Sequence, residues 1–207
     1  MFGNIVLLLI EFLICTATAI LFIWVLINGI KLLETILCVH LKKQPPFVPA
    51  TEKVRKIVSD QINQYYTNAK SVVDIGSGYG FLTRHIAKNT NTNVIGLENM
   101  FFSALVAKIL DKHCKGSKTI WCNAFDYLGN TNKHFDIALA YLGPNIMPTL
   151  TKYSDKFDVL ISVCFEIPTL KPVRIIDAGG GFTYYGKKRK KFSHRVFVYD
   201  FRLQHSE

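Results

Sequence analysis

The chain has 207 residues, enough for one domain and a short extra segment. Its formal charge of +10 and pI of about 9.4 favour anionic partners without naming one. Its five cysteines (Cys15, Cys38, Cys114, Cys122 and Cys164) are odd in number and form no C-x-x-C pair. That argues against a zinc site or a disulfide framework and fits a reducing compartment.

Apolar residues, 49% of the chain, crowd the N-terminus. Every residue from Ile5 to Ile10 is apolar, and Glu11 is the only charge before Lys31. At about 1.5 Å rise per residue, a helical run of that length crosses a hydrocarbon core of about 30 Å. A cleaved signal peptide fits less well. No Lys or Arg precedes the run, and it continues well past the small residues Ala17-Thr18-Ala19. Residues 1–43 are therefore expected to form a transmembrane anchor and basic juxtamembrane segment, with Glu11 near the headgroups. Lys31, Lys42, Lys43, Lys53, Arg55 and Lys56 follow the span, which places the main domain, residues 44–207, on the cytoplasmic or matrix side.

Next comes Gln44-Pro-Pro-Phe-Val-Pro-Ala-Thr51, whose prolines enforce an extended path. It is either a linker or a cover over a ligand pocket. Thr51 suits a helix N-cap, with Glu52 at the positive end of the dipole. The helix, about Glu52 to Tyr66, carries an apolar stripe of Val54, Ile57, Val58, Ile62 and Tyr65.

Residues Val72 to Gly80 read Val-Val-Asp-Ile-Gly-Ser-Gly-Tyr-Gly. A buried strand running into glycines at alternate positions is a turn that lets a ligand touch backbone, and some of these glycines are expected at positive φ. The dinucleotide fingerprint would need its third glycine where Phe81 stands. Asp74 would repel a pyrophosphate but suits the cationic amino-acid end of S-adenosylmethionine. Glu98, closing the next strand-like run, is placed to clamp a ribose.

The expected elements then alternate: strand Ser71–Ile75, helix Phe81–Asn89, strand Asn93–Leu97, helix Phe101–Cys114 and strands Lys118–Trp121 and Phe135–Tyr141. A helix around Asn145–Tyr153 and a strand Phe157–Cys164 follow. Val173–Asp177, Gly181–Tyr185 and His194–Leu203 read as further strands, with the basic run Lys187–Lys191 in the last loop. This predicts a doubly wound, Rossmann-like parallel sheet with helices on both faces and an antiparallel edge.

Ligands of such sheets sit at the carboxyl ends of the strands. Asp74, Gly76, Ser77, Gly78 and Gly80 fall at the first end and Glu98 at the second. At the third, Asn123 is a candidate to hydrogen-bond an adenine amino group, with Phe125 packed on the ring. Asp126 is the competing candidate, or an N-cap. At the fourth, Tyr141 and Asn145 are the nearest polar side chains to an acceptor, and no general base is assigned. The absence of Asn-Pro-Pro-Tyr there argues against planar amide or adenine amino acceptors. The basic loop suits solvent or anionic lipid better than RNA.

Motif I of the class I methyltransferases is similar to Val72–Gly80. Together with Pro46-Phe-Val-Pro-Ala-Thr51, Gly96-Leu-Glu98, Tyr141-Leu-Gly-Pro-Asn-Ile-Met147, Val163-Cys-Phe-Glu-Ile-Pro168 and Val198-Tyr-Asp200, the chain resembles the small single-pass membrane lysine methyltransferases of mitochondria and their bacterial relatives. Members of that family modify lysines on membrane proteins such as ATP synthase subunit c and the adenine nucleotide translocase. The resemblance implies S-adenosylmethionine as cofactor and an integral membrane protein as substrate. The chain departs from the family at Asn123, where an acid is usual, and at Glu166 and Leu170, where the pattern is more aromatic and Pro-rich. Two alternatives remain: a small-molecule or lipid methyltransferase, and a non-catalytic membrane scaffold with a vestigial cofactor fold.

Overall fold

The computed structural model describes residues 2–36, 48–185 and 188–204, and the chain divides into two units, Met1–Pro46 and Phe47–Glu207. Lys42, Lys43 and the stretch 44–47 lie outside the described residues.

The first unit is one helix, α1 (Phe2–Ile36). Within it Val6–Ile30, with a mean hydropathy of 2.7, is long and apolar enough to cross a membrane. Three of its polar side chains bond to their own helix. Thr16 and Thr18 donate to the carbonyls of Leu13 and Ile14, each at 2.9 Å, and Asn28 donates to Trp24 at 2.7 Å. Such self-satisfaction is what a helix needs where no water is at hand.

The second unit is a seven-stranded sheet in the order β3-β2-β1-β4-β5-β7-β6. The strands are β1 (Ser71–Ile75), β2 (Asn93–Glu98), β3 (Ser117–Trp121), β4 (Phe135–Ala140), β5 (Phe157–Val163), β6 (Arg174–Tyr185) and β7 (Lys188–Asp200). The first five are parallel, while β7 runs antiparallel to both β5 and β6. Helices α2 (Glu52–Tyr65), α3 (Phe81–Asn89), α4 (Phe101–Asp111), α5 (Ala124–Asn130) and α6 (Phe201–Gln204), with a 3₁₀ segment (Met147–Lys156), complete it. The expected Rossmann-like sheet with an antiparallel edge is the observed one.

Alternate strand residues feed two cores, as a two-fold side-chain period requires. Val72, Ile137 and Val159 join Val54, Val58 and Ile62 of α2 and Ile86 of α3 on one face. Val73, Ala138 and Leu160 join Leu128 of α5 and Met147 and Leu150 of the 3₁₀ segment on the other.

Thr51 is the N-cap of α2, its hydroxyl accepting from Val54 N at 3.3 Å. The α2 stripe differs at one position. Tyr65 is exposed, with the Arg174 guanidinium 3.9 Å from its ring centre, and Tyr66 turns inward where the helix ends. Helix α4 stops at Asp111, before the expected Cys114, because the His113 and Cys114 amides bond only three residues back. The expected Asn145–Tyr153 helix is a later 3₁₀ segment, and α5 is a short helix that the expected elements leave out. Val173–Asp177 and Gly181–Tyr185 are one strand, joined through an irregularity between Asp177 and Gly180. His194–Leu203 corrects in two ways: β7 begins at Lys188, and the chain turns helical at Phe201. The basic run is therefore strand in its described part. Lys188–Lys191 pair backbone with Tyr185–Phe182, and 186–187 lie outside the described residues. This hairpin continues beyond the stretch of β7 paired with β5, on the side of the sheet where the parallel strands end.

The connection from β5 to β6 has no helix, and a buried side chain anchors it. Tyr199, fully buried on β7, accepts a hydrogen bond from Ile167 N at 2.8 Å. Tyr199→Phe strands that buried amide and is expected to cost about 1–3 kcal/mol. Denaturant unfolding should show a lower midpoint with an unchanged slope.

Candidate active site

The three glycines after β1 are all left-handed: φ is +76° at Gly76, +56° at Gly78 and +72° at Gly80. Their turn is held by the end of β2. Leu97 O accepts from Gly76 N at 2.9 Å and Ser77 N at 3.0 Å. Glu98 accepts from Gly78 N at 2.6 Å on one carboxylate oxygen and from Met100 N at 2.7 Å on the other. Gly96 is needed for a different reason. A Cβ there would stand 2.7 Å from Ser77 Oγ and 3.2 Å from Thr83 Oγ1, so its absence lets the loop and α3 press against β2.

A cleft opens above this turn, lined by Val48, Pro49 and Ala50, by Asp74, Gly76 and Ser77, by Phe81 and Leu82, and by Tyr141. The Pro-rich segment is thus part of the cleft wall in its described portion. Asp74, 2% exposed, accepts from Thr83 Oγ1 at 2.7 Å. Burial drives its pKa up from 3.8 to about 6. The Thr83 bond opposes that rise and the nearby Glu98 charge adds to it. Ser77 Oγ is buried without a hydrogen-bond partner.

Asn123 and Phe125 sit after β3, as expected, but both have structural partners. Asn123 is the N-cap of α5, its Oδ1 accepting from Phe125 N at 2.9 Å, so that cap is not Asp126. Phe125 stacks on Tyr153 with ring centres 5.7 Å apart, which occupies one of its faces. Asn145 is exposed in the turn after β4 and does not line the cleft.

Tyr141 does line it, and its hydroxyl meets the Cys164 thiol. Cys164 in turn lies 2.9 Å from His194 Nδ1. Among the described residues Cys164 is the only non-glycine with a left-handed backbone, φ +70°, a conformation that costs about 1–3 kcal/mol unless its surroundings enforce it. Burial, reinforced by the thiol, raises the Tyr141 pKa. Burial also raises the Cys164 thiol, against the Tyr141 hydrogen bond. Both groups therefore keep their protons at neutral pH. Thr83, Cys164 and His194 carry no local sequence signal. Only the fold assembles them with Asp74 and Tyr141.

No protein-family model matches the sequence, and no curated protein does. Solved structures do resemble the fold. An RNA methyltransferase from Salinibacter ruber, in complex with S-adenosyl-L-homocysteine, is 16% identical over 74% of this chain and 93% of its own, with a TM-score of 0.55. The precorrin-6y C5,15-methyltransferase of Geobacter metallireducens is 11% identical over 75% and 91%, with a TM-score of 0.56. An O-methyltransferase from Bacillus cereus, also in complex with S-adenosylhomocysteine, is 14% identical over 81% and 90%, with a TM-score of 0.51. The domain has the class I methyltransferase fold.

The folded Asp74 carboxyl keeps its proton to a higher pH than the unfolded one, so its contribution is most favourable below about pH 4 and is lost as pH rises through about 6. The displacement from 3.8 to about 6 corresponds to roughly 3 kcal/mol. Asp74→Asn removes the buried charge and still accepts from Thr83. The ligand-free variant is expected to be the more stable at neutral pH, by up to that amount, with the difference vanishing in acid. Denaturation midpoints at a series of pH values check this.

Proposed function

We propose that this chain is an S-adenosylmethionine-dependent methyltransferase, held at a membrane by α1, that methylates a lysine of an integral membrane protein. The observation that carries the cofactor is the buried, destabilised carboxylate of Asp74 beside three left-handed glycines. A cationic ligand group offsets the cost of that charge, and a turn with glycine at every other position lets the ligand reach backbone. The unpartnered Ser77 Oγ fits a polar ligand in the same cleft.

In this reading Asp74 faces the amino-acid end of the cofactor, with Gly76, Ser77, Gly78 and Gly80 shaping the turn around it. Glu98, at the end of β2, takes the ribose hydroxyls, and Asn123 and Phe125 flank the adenine. The cofactor, when bound, supplies an electrophilic methyl group. Tyr141, held by Cys164, orients an acceptor at the cleft mouth by hydrogen bonding, since positioning does most of the work in an in-line displacement. The lysine substrate and the cytoplasmic or matrix placement rest on the resemblance and on the lysines that follow α1. An anchored domain meets membrane lysines at raised effective concentration. A second reading, an RNA substrate, draws on the basic hairpin at the site end of the sheet and on the Salinibacter ruber neighbour.

Calorimetric titration of the full chain in detergent with S-adenosylmethionine is expected to show binding that weakens roughly tenfold per pH unit below about 6, because the cation must displace the Asp74 proton. Asp74→Asn should lose that dependence and most of the affinity. Glu98→Gln is the better ribose probe. Glu98→Ala would also untie Gly78 and Met100. Labelled methyl groups offered to native membranes are expected in protein, on lysine. Label in the lipid extract or in RNA would move the substrate to those classes, and binding without transfer to any fraction would leave a scaffold.

A further inference from the structure

Helix α4 is built inside out. The residues it turns to the sheet are small, with Ser103, Ala104 and Ala107 at most 1% exposed. Three of its large apolar residues point the other way. Phe101 is 56% exposed, Leu105 41% and Ile109 51%, and the spacing of four puts them on one stripe. Trp121, at the end of edge strand β3 and 53% exposed, extends the stripe, its ring 5.0 Å from that of Phe101. The indole N–H is already satisfied by Asn99 O at 3.1 Å, which leaves the outward ring apolar.

The stripe has a basic border. Lys108, Lys112 and Lys118 line one open groove between α4 and β3. Asp111 in that groove does not cancel them. Its oxygens accept from Ser117 Oγ and Thr119 Oγ1, each at 2.7 Å, and Arg84 stands 3.5 Å away. An exposed aromatic-aliphatic stripe edged by lysines matches an anionic lipid surface, where apolar side chains sink into the acyl boundary and ammonium groups stay among phosphates. A second copy fits poorly, since a two-fold contact through this face would set one lysine row against another.

We propose that the outer face of α4, with Trp121, lies on an anionic bilayer surface, with Lys108, Lys112 and Lys118 on the lipid phosphates. The proposal rests on α1 entering a bilayer and is independent of the methyltransferase reading.

The two tryptophans of the chain, Trp24 and Trp121, allow each part to be tested separately. Full-length Trp24→Phe protein is reconstituted in vesicles of brominated phosphatidylcholine with phosphatidylserine, and full-length Trp121→Phe protein serves as the monitor of α1. Trp121 emission is expected to shift to shorter wavelength and lose most of its intensity to the bromines. The loss should be much smaller in purely zwitterionic vesicles and in a Lys108→Glu/Lys112→Glu/Lys118→Glu background. Trp24 quenched with Trp121 untouched would overturn the docking and leave α1 as an anchor. Neither quenched would overturn both. A Trp121 shift that follows protein density and ignores the bromines would overturn lipid docking in favour of a second copy.

Discussion

The site depends on how the last three residues of β2 hold the turn that follows β1. Gly96 supplies the space, Leu97 the carbonyl, and Glu98 a carboxylate bridging Gly78 N and Met100 N. Three consecutive alternate glycines in left-handed geometry have much conformational freedom to lose, and they would not keep one shape unaided. Neighbouring parallel strands bring both loops to the same edge, so a single acid can fix the loop after its own strand and the loop after the adjacent one. The side chain expected to recognise ribose is thus also a structural tie, and its two duties are inseparable in any variant that shortens it.

Asp74 illustrates the opposite relation between site and fold. Its carboxylate contributes nothing to the stability of the ligand-free domain and opposes it, since water has been removed and the Thr83 bond only partly replaces it. Buried ionisable groups under such strain cluster where a charged ligand is met. Around it the cleft is otherwise largely apolar, closed on one side by Val48, Pro49 and Ala50 and on the other by Phe81 and Leu82. This makes one carboxylate the dominant charge lining the cleft.

The strands that build this edge were legible because each is a β-branched run stopped by glycine or an acid, as in Val72–Gly80 and Val94–Glu98. Helices with an ordinary apolar stripe were legible too, apart from their last turn. What escaped the sequence has physical reasons. Helix α5 is seven residues long and contains Gly129, too short for a period to show. Strand β6 looked broken because Gly179, Gly180 and Gly181 interrupt its apolar pattern, while the chain passes through them with a change of register. The contact between Cys164 and His194 spans thirty residues and exists only because β7 returns antiparallel along β5 and Cys164 adopts a left-handed turn. Asn123 was legible as a residue at the right strand end, but its use as a helix cap was not, since one amide can serve either purpose.

The inverted packing of α4 also reverses the usual map of mutational tolerance. In most helices the large apolar positions are the intolerant ones and the small polar ones the permissive ones. Here a methyl or two added at Ser103, Ala104 or Ala107 would press the helix against its sheet, whereas Phe101, Leu105 and Ile109 are each about half exposed and have less packing to lose. A scan of substitutions scored for folding alone would rank those three large residues among the most replaceable. That gives a direct route to a less adhesive form of the domain for work in solution, obtained by recolouring one helix surface without touching the core.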